Sequence, residues 1–124
     1  MALPNLFWQG VDQFNQRQFY ECHDTLESLW LEAAEPVKTF YQAILQVSVA
    51  CYHLERSNWK GAVILLGEGI NKLKDYQPSY EEVAVEKLFS SSLLLLGKIQ
   101  VIRSEDLPKE YGNLVGYIPS ISRS

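Results

Sequence analysis

Histidine and cysteine, the residues from which most metal clusters and disulfide frameworks are built, are scarce in this 124-residue chain, which has two of each. Cys22 and Cys51 form no paired-cysteine zinc motif, and both fall inside helical patterns. Reduced, buried thiols in a cytoplasmic protein are the expectation for such a pair. Basic residues are also in deficit: 11 Lys and Arg stand against 15 Asp and Glu, a formal charge of −4 with a pI near 5.1. A sequence-independent grip on phosphate backbones needs clustered cations, so nucleic acid is not expected as a partner. Long apolar runs are missing. Leu93-Leu94-Leu95-Leu96 falls far short of the ~20 residues that cross a bilayer. The stretch Met1 to Trp8 lacks the basic start and apolar core of a signal peptide, and no membrane association is expected. There is no phosphate-binding glycine loop and no nucleophile elbow.

What is present is helical periodicity. With 47% hydrophobic and 21% charged residues, the chain reads as one globular domain over residues 1–124. Asn5 is placed to cap a first helix carrying Phe7, Val11 and Phe14, ending near residues 15–17. A second helix runs from about Gln18 to Ala34 and stops at Glu35-Pro36. Pro36 suits the first turn of a third helix reaching Arg56. Ser57-Asn58 breaks and caps, and Trp59, Ala62, Leu66, Ile70 and Leu73 form the stripe of a fourth. Ser79 followed by Glu82 is a capping-box signal for the start of a fifth, through Val85, Leu95 and Ile102. From Leu107 onward, Pro108, Gly112, Gly116 and Pro119 break the pattern, predicting an irregular C-terminal tail that packs on the body through residues such as Val115 and Ile121. No strand alternation survives, so the predicted fold is an all-α, single-domain antiparallel bundle of about five helices.

The two histidines lie on inward-turned stripes. Phe19, His23, Leu26, Glu27 and Trp30 occupy about a third of one helical wheel, which predicts burial of His23 and Glu27. On the third helix Gln42, Gln46, Val49 and His53 align, opposite Phe40, Ile44, Val47, Cys51 and Leu54. Buried amides and imidazoles need partners, which they find in each other or in a bound ion. His23 and Glu27 are one turn apart and can share a divalent ion, with His53 from the facing helix as third ligand; imidazole and carboxylate suit transition metals. Glu21 and Asp24 fall off the stripe. Gln42 and Gln46 either orient ligands or meet a substrate, and Trp30 fills the core or fixes Glu27.

The run His23-Asp24-Thr25-Leu26-Glu27-Ser28-Leu29-Trp30, preceded by Phe19-Tyr20-Glu21 and followed by Phe40 to His53 and Asn58-Trp59-Lys60-Gly61-Ala62, resembles the domain-of-unknown-function 309 family. The resemblance spans about Phe7 to Pro78. It implies an all-helical fold, no assigned activity, and a His-x-x-x-Glu-x-x-Trp motif that binds metal, which falls here on His23, Glu27 and Trp30 with His53 as the second histidine. Arg17 and Ser57 stand near turns where the family often has glycine, and Lys38 stands where arginine is common.

Three functional classes follow. The first is a metal- or small-ligand-binding protein, including a metal-dependent hydrolase in which Glu27 acts as base; a base is not also a firm ligand, so those two roles compete. The second is a helical-repeat-like interaction module, in which Gly67 and Gly69 admit close approach of another helix or subunit. The third is a purely structural polar network. A homodimer is compatible with all three.

Overall fold

The computed structural model describes residues 2–124, and Met1 lies outside them. The described residues form six α-helices: α1 (Asn5–Asn15), α2 (Phe19–Glu32), α3 (Val37–Glu55), α4 (Trp59–Leu73), α5 (Val85–Gln100) and α6 (Leu107–Leu114). Among them no β-strand forms, and β pairing is confined to the isolated bridges Tyr80–Val83 and Val83–Arg123. The all-α expectation holds. Each helix packs on the next, α1 on α2, α2 on α3, α3 on α4 and α4 on α5, with α3 making the most extensive contacts.

The central place of α3 follows from its sequence. Phe40, Ala43, Ile44, Val47, Ala50, Cys51 and Leu54 are all buried, which leaves a helix with apolar faces toward two neighbours. Gly69 sets the α3–α4 spacing: a β-carbon there would stand 2.8 Å from Val47 Cγ2 and 3.1 Å from the Ala43 carbonyl oxygen. A β-carbon at Gly67 would meet nothing within 4 Å. Of the two glycines expected to admit a close neighbour, Gly69 does so toward α3 and Gly67 does not.

The connections from α1 through α4 are short. Arg17 and Ser57 adopt φ of 65° and 58°, turning the chain from α1 to α2 and from α3 to α4. Glu35 rather than a cap residue proper closes the start of α3: its carboxylate accepts from the Thr39 hydroxyl at 2.6 Å and the Thr39 amide at 2.8 Å. Those bonds hold the Glu35 carboxyl below its usual range. Pro36 precedes the first helical residue, Val37, instead of lying in the first turn. Asn5 is itself the first residue of α1 and makes no side-chain cap, with Pro4 before it.

Two sequence expectations are corrected at the C-terminal half. The fifth helix starts at Val85, not at a Ser79 capping box: Glu81 and Glu82 take φ of 46° and 70°. Reciprocal backbone bonds between Tyr80 and Val83 close this turn, and the tail ties to it, with Ala84 N–H donating to the Ser122 carbonyl and Ser124 N–H to the Glu82 carbonyl. The tail is not irregular throughout, since Leu107–Leu114 is α6. Pro108 falls in its first turn, where the missing N–H costs nothing, and Gly112 is exposed. The remainder packs in part as expected: Ile118 and Ile121 are buried, whereas Val115 is exposed. It is clasped to α1 by a reciprocal pair in which Asn15 Nδ2 donates to the Ile121 carbonyl at 2.9 Å and Ile121 N–H donates to Asn15 Oδ1 at 2.8 Å. Arg17 donates to the Pro119 carbonyl at 2.8 Å, and the Arg123 guanidinium lies 3.6 Å from the Trp8 ring centre.

Candidate functional site

The buried stripe of α2 is Phe19, Cys22 and Leu26, spaced i, i+3, i+7. His23 and Glu27 each follow one step beyond a member of that stripe and so lie at its edge, while Trp30, at i+11, continues it. This corrects the expectation of burial for the pair: the His23 side chain is 30% exposed and that of Glu27 50%. The wheel alone does not say where a stripe's centre falls, and the buried positions centre on Leu26, with Cys22 on the side away from His23 and Glu27.

At this edge His23 Nε2 lies 3.4 Å from Glu27 Oε2, and His23 Nδ1 lies 3.2 Å from Asp24 Oδ1. Both ring nitrogens therefore face carboxylates, one of them from a residue that spacing had set aside. On α3, His53 faces a different neighbour. Asn58 Oδ1 accepts the Gly61 N–H at 3.0 Å, which caps α4 and fixes the orientation of the amide. Asn58 Nδ2, 3.2 Å from His53 Nδ1, is then the donor, and the neutral ring carries its proton on Nε2.

His23 and His53 line one recess of about 170 Å³ together with Phe19, Tyr20, Val49 and Tyr52. Its rim is aromatic: the ring centres of Tyr20 and Tyr52 are 5.8 Å apart, and those of Tyr20 and His23 6.3 Å. The two tyrosines were not singled out by sequence, because half-exposed aromatics have no periodic signature. Among the described residues no group of three or more His, Cys, Asp or Glu side chains is placed to hold a metal ion.

A second cavity of about 260 Å³ adjoins the first through Val49. Glu27, Trp30, Gln42, Leu45, Gln46 and Leu65 complete its lining. Four of the six residues singled out by sequence, Glu27, Trp30, Gln42 and Gln46, thus meet here, while the histidines occupy the neighbouring recess. Gln46 is only 8% exposed. Its Nε2 donates to Glu68 Oε2 on α4 at 3.0 Å, which turns Oε1 the other way; among the described residues that buried oxygen has no hydrogen-bond partner. Glu68 carries no helical-stripe signal. It reaches Gln46 because the neighbouring Gly69 brings α4 hard against α3. Trp30 is half-buried; Lys38 Nζ donates to its carbonyl at 2.7 Å and lies 4.3 Å from its ring centre.

The thiols take no part. Both are free and buried; burial pushes Cys22 up to about 11 and Cys51 up to about 12. Neither is a nucleophile at neutral pH.

Comparison with known proteins adds a family without an activity. Residues 7–65 match the model of a domain of unknown function, DUF309. The chain is 31% identical over 71 residues to the uncharacterized protein YpuF of Bacillus subtilis (strain 168), a match that takes in 56% of this chain and 41% of that protein. The match thus spans less than half the length of the curated relative. No solved structure matches the chain. Among the described residues no helix is long and apolar enough to cross a membrane.

Proposed function

From a chain whose residues 7–65 match the DUF309 domain, we propose a role in binding a small organic molecule in the cavity between α2, α3 and α4. One observation carries this: Gln46, on the wall of a 260 Å³ cavity, has a buried acceptor, Oε1, that is left without a partner. Burying such a group costs about 1–3 kcal/mol unless something donates to it. A cavity of about 150 Å³ suffices for benzene, so this one admits a compact ring with a substituent. Apolar walls from Trp30, Leu45, Val49 and Leu65 with a few convergent polar groups are the usual make-up of ligand sites.

The test is titration of a small-fragment set against 15N-labelled protein, following the Trp30 indole and Gln46 side-chain amide signals. Saturable shifts at both, with the Trp30 shift lost in Gln46→Met and the Gln46 shift lost in Trp30→Ala, support the role. A set that leaves both signals unmoved overturns it.

A second reading places a divalent transition metal on His23, Glu27 and His53, favoured by the two imidazoles sharing one recess. Elemental analysis of protein purified without chelators, beside His23→Ala/His53→Ala, tests it. About one equivalent of a single metal, absent from the variant, supports an ion there; a metal-free protein that takes none up on titration removes it, and with it any metal-dependent hydrolysis.

A further inference from the structure

We infer that the occupant of the Gln46 cavity is a protonated amine carrying a small aromatic or branched apolar body. The inference rests on the binding role proposed above and narrows it to one ligand chemistry. Its basis is the sign of the polar groups that converge on the cavity. Gln46 Oε1 is an acceptor, because Nε2 is committed to Glu68. Glu27, exposed at the rim, contributes a carboxylate. A second carboxylate, Glu68, stands directly behind Gln46. An amide whose N–H is held by an anion presents a more electron-rich oxygen, since hydrogen bonds in a chain polarise one another. Gln42 can serve as donor or acceptor and imposes no preference.

The cations nearby do not cancel this polarity. Lys38 is not among the lining residues, and its ammonium is tied to the Trp30 carbonyl. His23 is 3.4 Å from Glu27 and lines the neighbouring recess instead. An anionic ligand would meet the Glu27 carboxylate and, at Gln46, an amide whose carbonyl oxygen is unpartnered. A neutral donor would satisfy Gln46 but leave Glu27 unused. An ammonium group has three N–H donors and a charge, enough to serve Gln46 Oε1 and Glu27 together. Its apolar body would then lie along Leu45, Val49, Leu65 and the Trp30 ring.

Three probes sharing a phenethyl body separate the possibilities: phenethylamine, the neutral 2-phenylethanol and the anionic 3-phenylpropanoate, each titrated against the 15N-labelled protein at pH 7 and low salt. Phenethylamine is expected to bind about tenfold more tightly than the propanoate, the scale of a charge-assisted hydrogen bond. Glu27→Gln, a substitution at a half-exposed position that keeps shape, is expected to weaken the amine about fivefold or more and leave the alcohol unchanged. Gln46→Met is expected to weaken both. Preference for the propanoate, or an amine affinity indifferent to Glu27→Gln, overturns the inference. The alcohol and propanoate binding at Trp30 without the amine would remove the amine assignment yet keep the binding role; none of the three, and no fragment of the wider set, moving the Trp30 and Gln46 signals would remove both.

Discussion

Gly61 faces His53 with no room for a β-carbon: one built there would stand 2.9 Å from His53 Cδ2, 3.0 Å from Cγ and 2.8 Å from Asn58 Nδ2. The Asn58-Trp59-Lys60-Gly61 segment is therefore a fitted unit, in which Asn58 caps α4 and holds the imidazole while Gly61 vacates the space the ring fills. Gly61→Ala should destabilise the protein by about 1–2 kcal/mol although alanine is the better helix former, because the displaced contacts include the cap. Urea denaturation measures the loss. A variant as stable as the parent would show that the ring moves aside freely.

Gly69 and Gly67 make a matched pair on α4. Gly69→Ala drives a methyl into Val47 and the Ala43 carbonyl and should cost about 1–3 kcal/mol as overpacking. Gly67→Ala meets nothing within 4 Å and should gain about 0.5–1 kcal/mol from helix propensity. Opposite signs in melting temperature are the expected result, and a shared sign would mean α4 is not seated against α3 in this way.

Ser57 pays for its left-handed backbone at φ 58° without the compensation that Arg17 has. Arg17, at φ 65°, bonds the tail carbonyls of Pro119 and Ile118, whereas Ser57 turns the chain only. Ser57→Gly should stabilise by about 0.5–1 kcal/mol. Arg17→Gly relieves the same strain but loses two hydrogen bonds and should not. Thermal melts of the two variants side by side decide it.

The buried thiols predict a loss of stability in alkali. An unfolded cysteine releases its proton near 9.0, while the folded protein holds Cys22 to about 11 and Cys51 to about 12. Between those limits the folded state binds more protons than the unfolded one, so stability falls as pH rises, by up to about 1.4 kcal/mol per pH unit for each thiol. Below pH 9 the full stability is present. Between pH 8.5 and 10, Cys22→Ala/Cys51→Ala should flatten the dependence of the denaturation midpoint on pH. A slope unchanged in the double variant would place the effect elsewhere, for instance on the tyrosines Tyr41 and Tyr111, whose hydroxyls burial also raises.

Most helices were legible because an apolar stripe at the helical period needs no knowledge of partners. The third helix was legible in detail, including its buried side, since Phe40, Ile44, Val47, Cys51 and Leu54 are all buried. What escaped depended on distant chain. The Ser79–Glu82 signal is sound locally, yet Tyr80 and Val83 close that stretch as a turn, to which Ser122 and Ser124 of the tail pair through Ala84 and Glu82. Pro108 and Gly112 read as breakers because sequence does not reveal that one falls in a first turn and the other in solvent. The site shows the same division. Gln42, Gln46, Glu27 and Trp30 were found as polar or aromatic interruptions of a stripe, and they do meet around one cavity. Glu68, which decides which way Gln46 points, sits on a third helix and was invisible until α4 was placed.

The reciprocal bonds of Asn15 and Ile121 join residues 106 apart in the chain, and that separation has a kinetic consequence. Contacts between adjacent helices such as α3 and α4 close short loops, whereas this clasp closes nearly the whole chain and gains nothing until the intervening helices have shortened the path. The corner between α1 and α2 is thus expected to close after the contacts between adjacent helices have formed and to open before they do. Hydrogen exchange at the Ile121 amide reports the completion of the fold, and residues 7–65 on their own lack the strap that completes it.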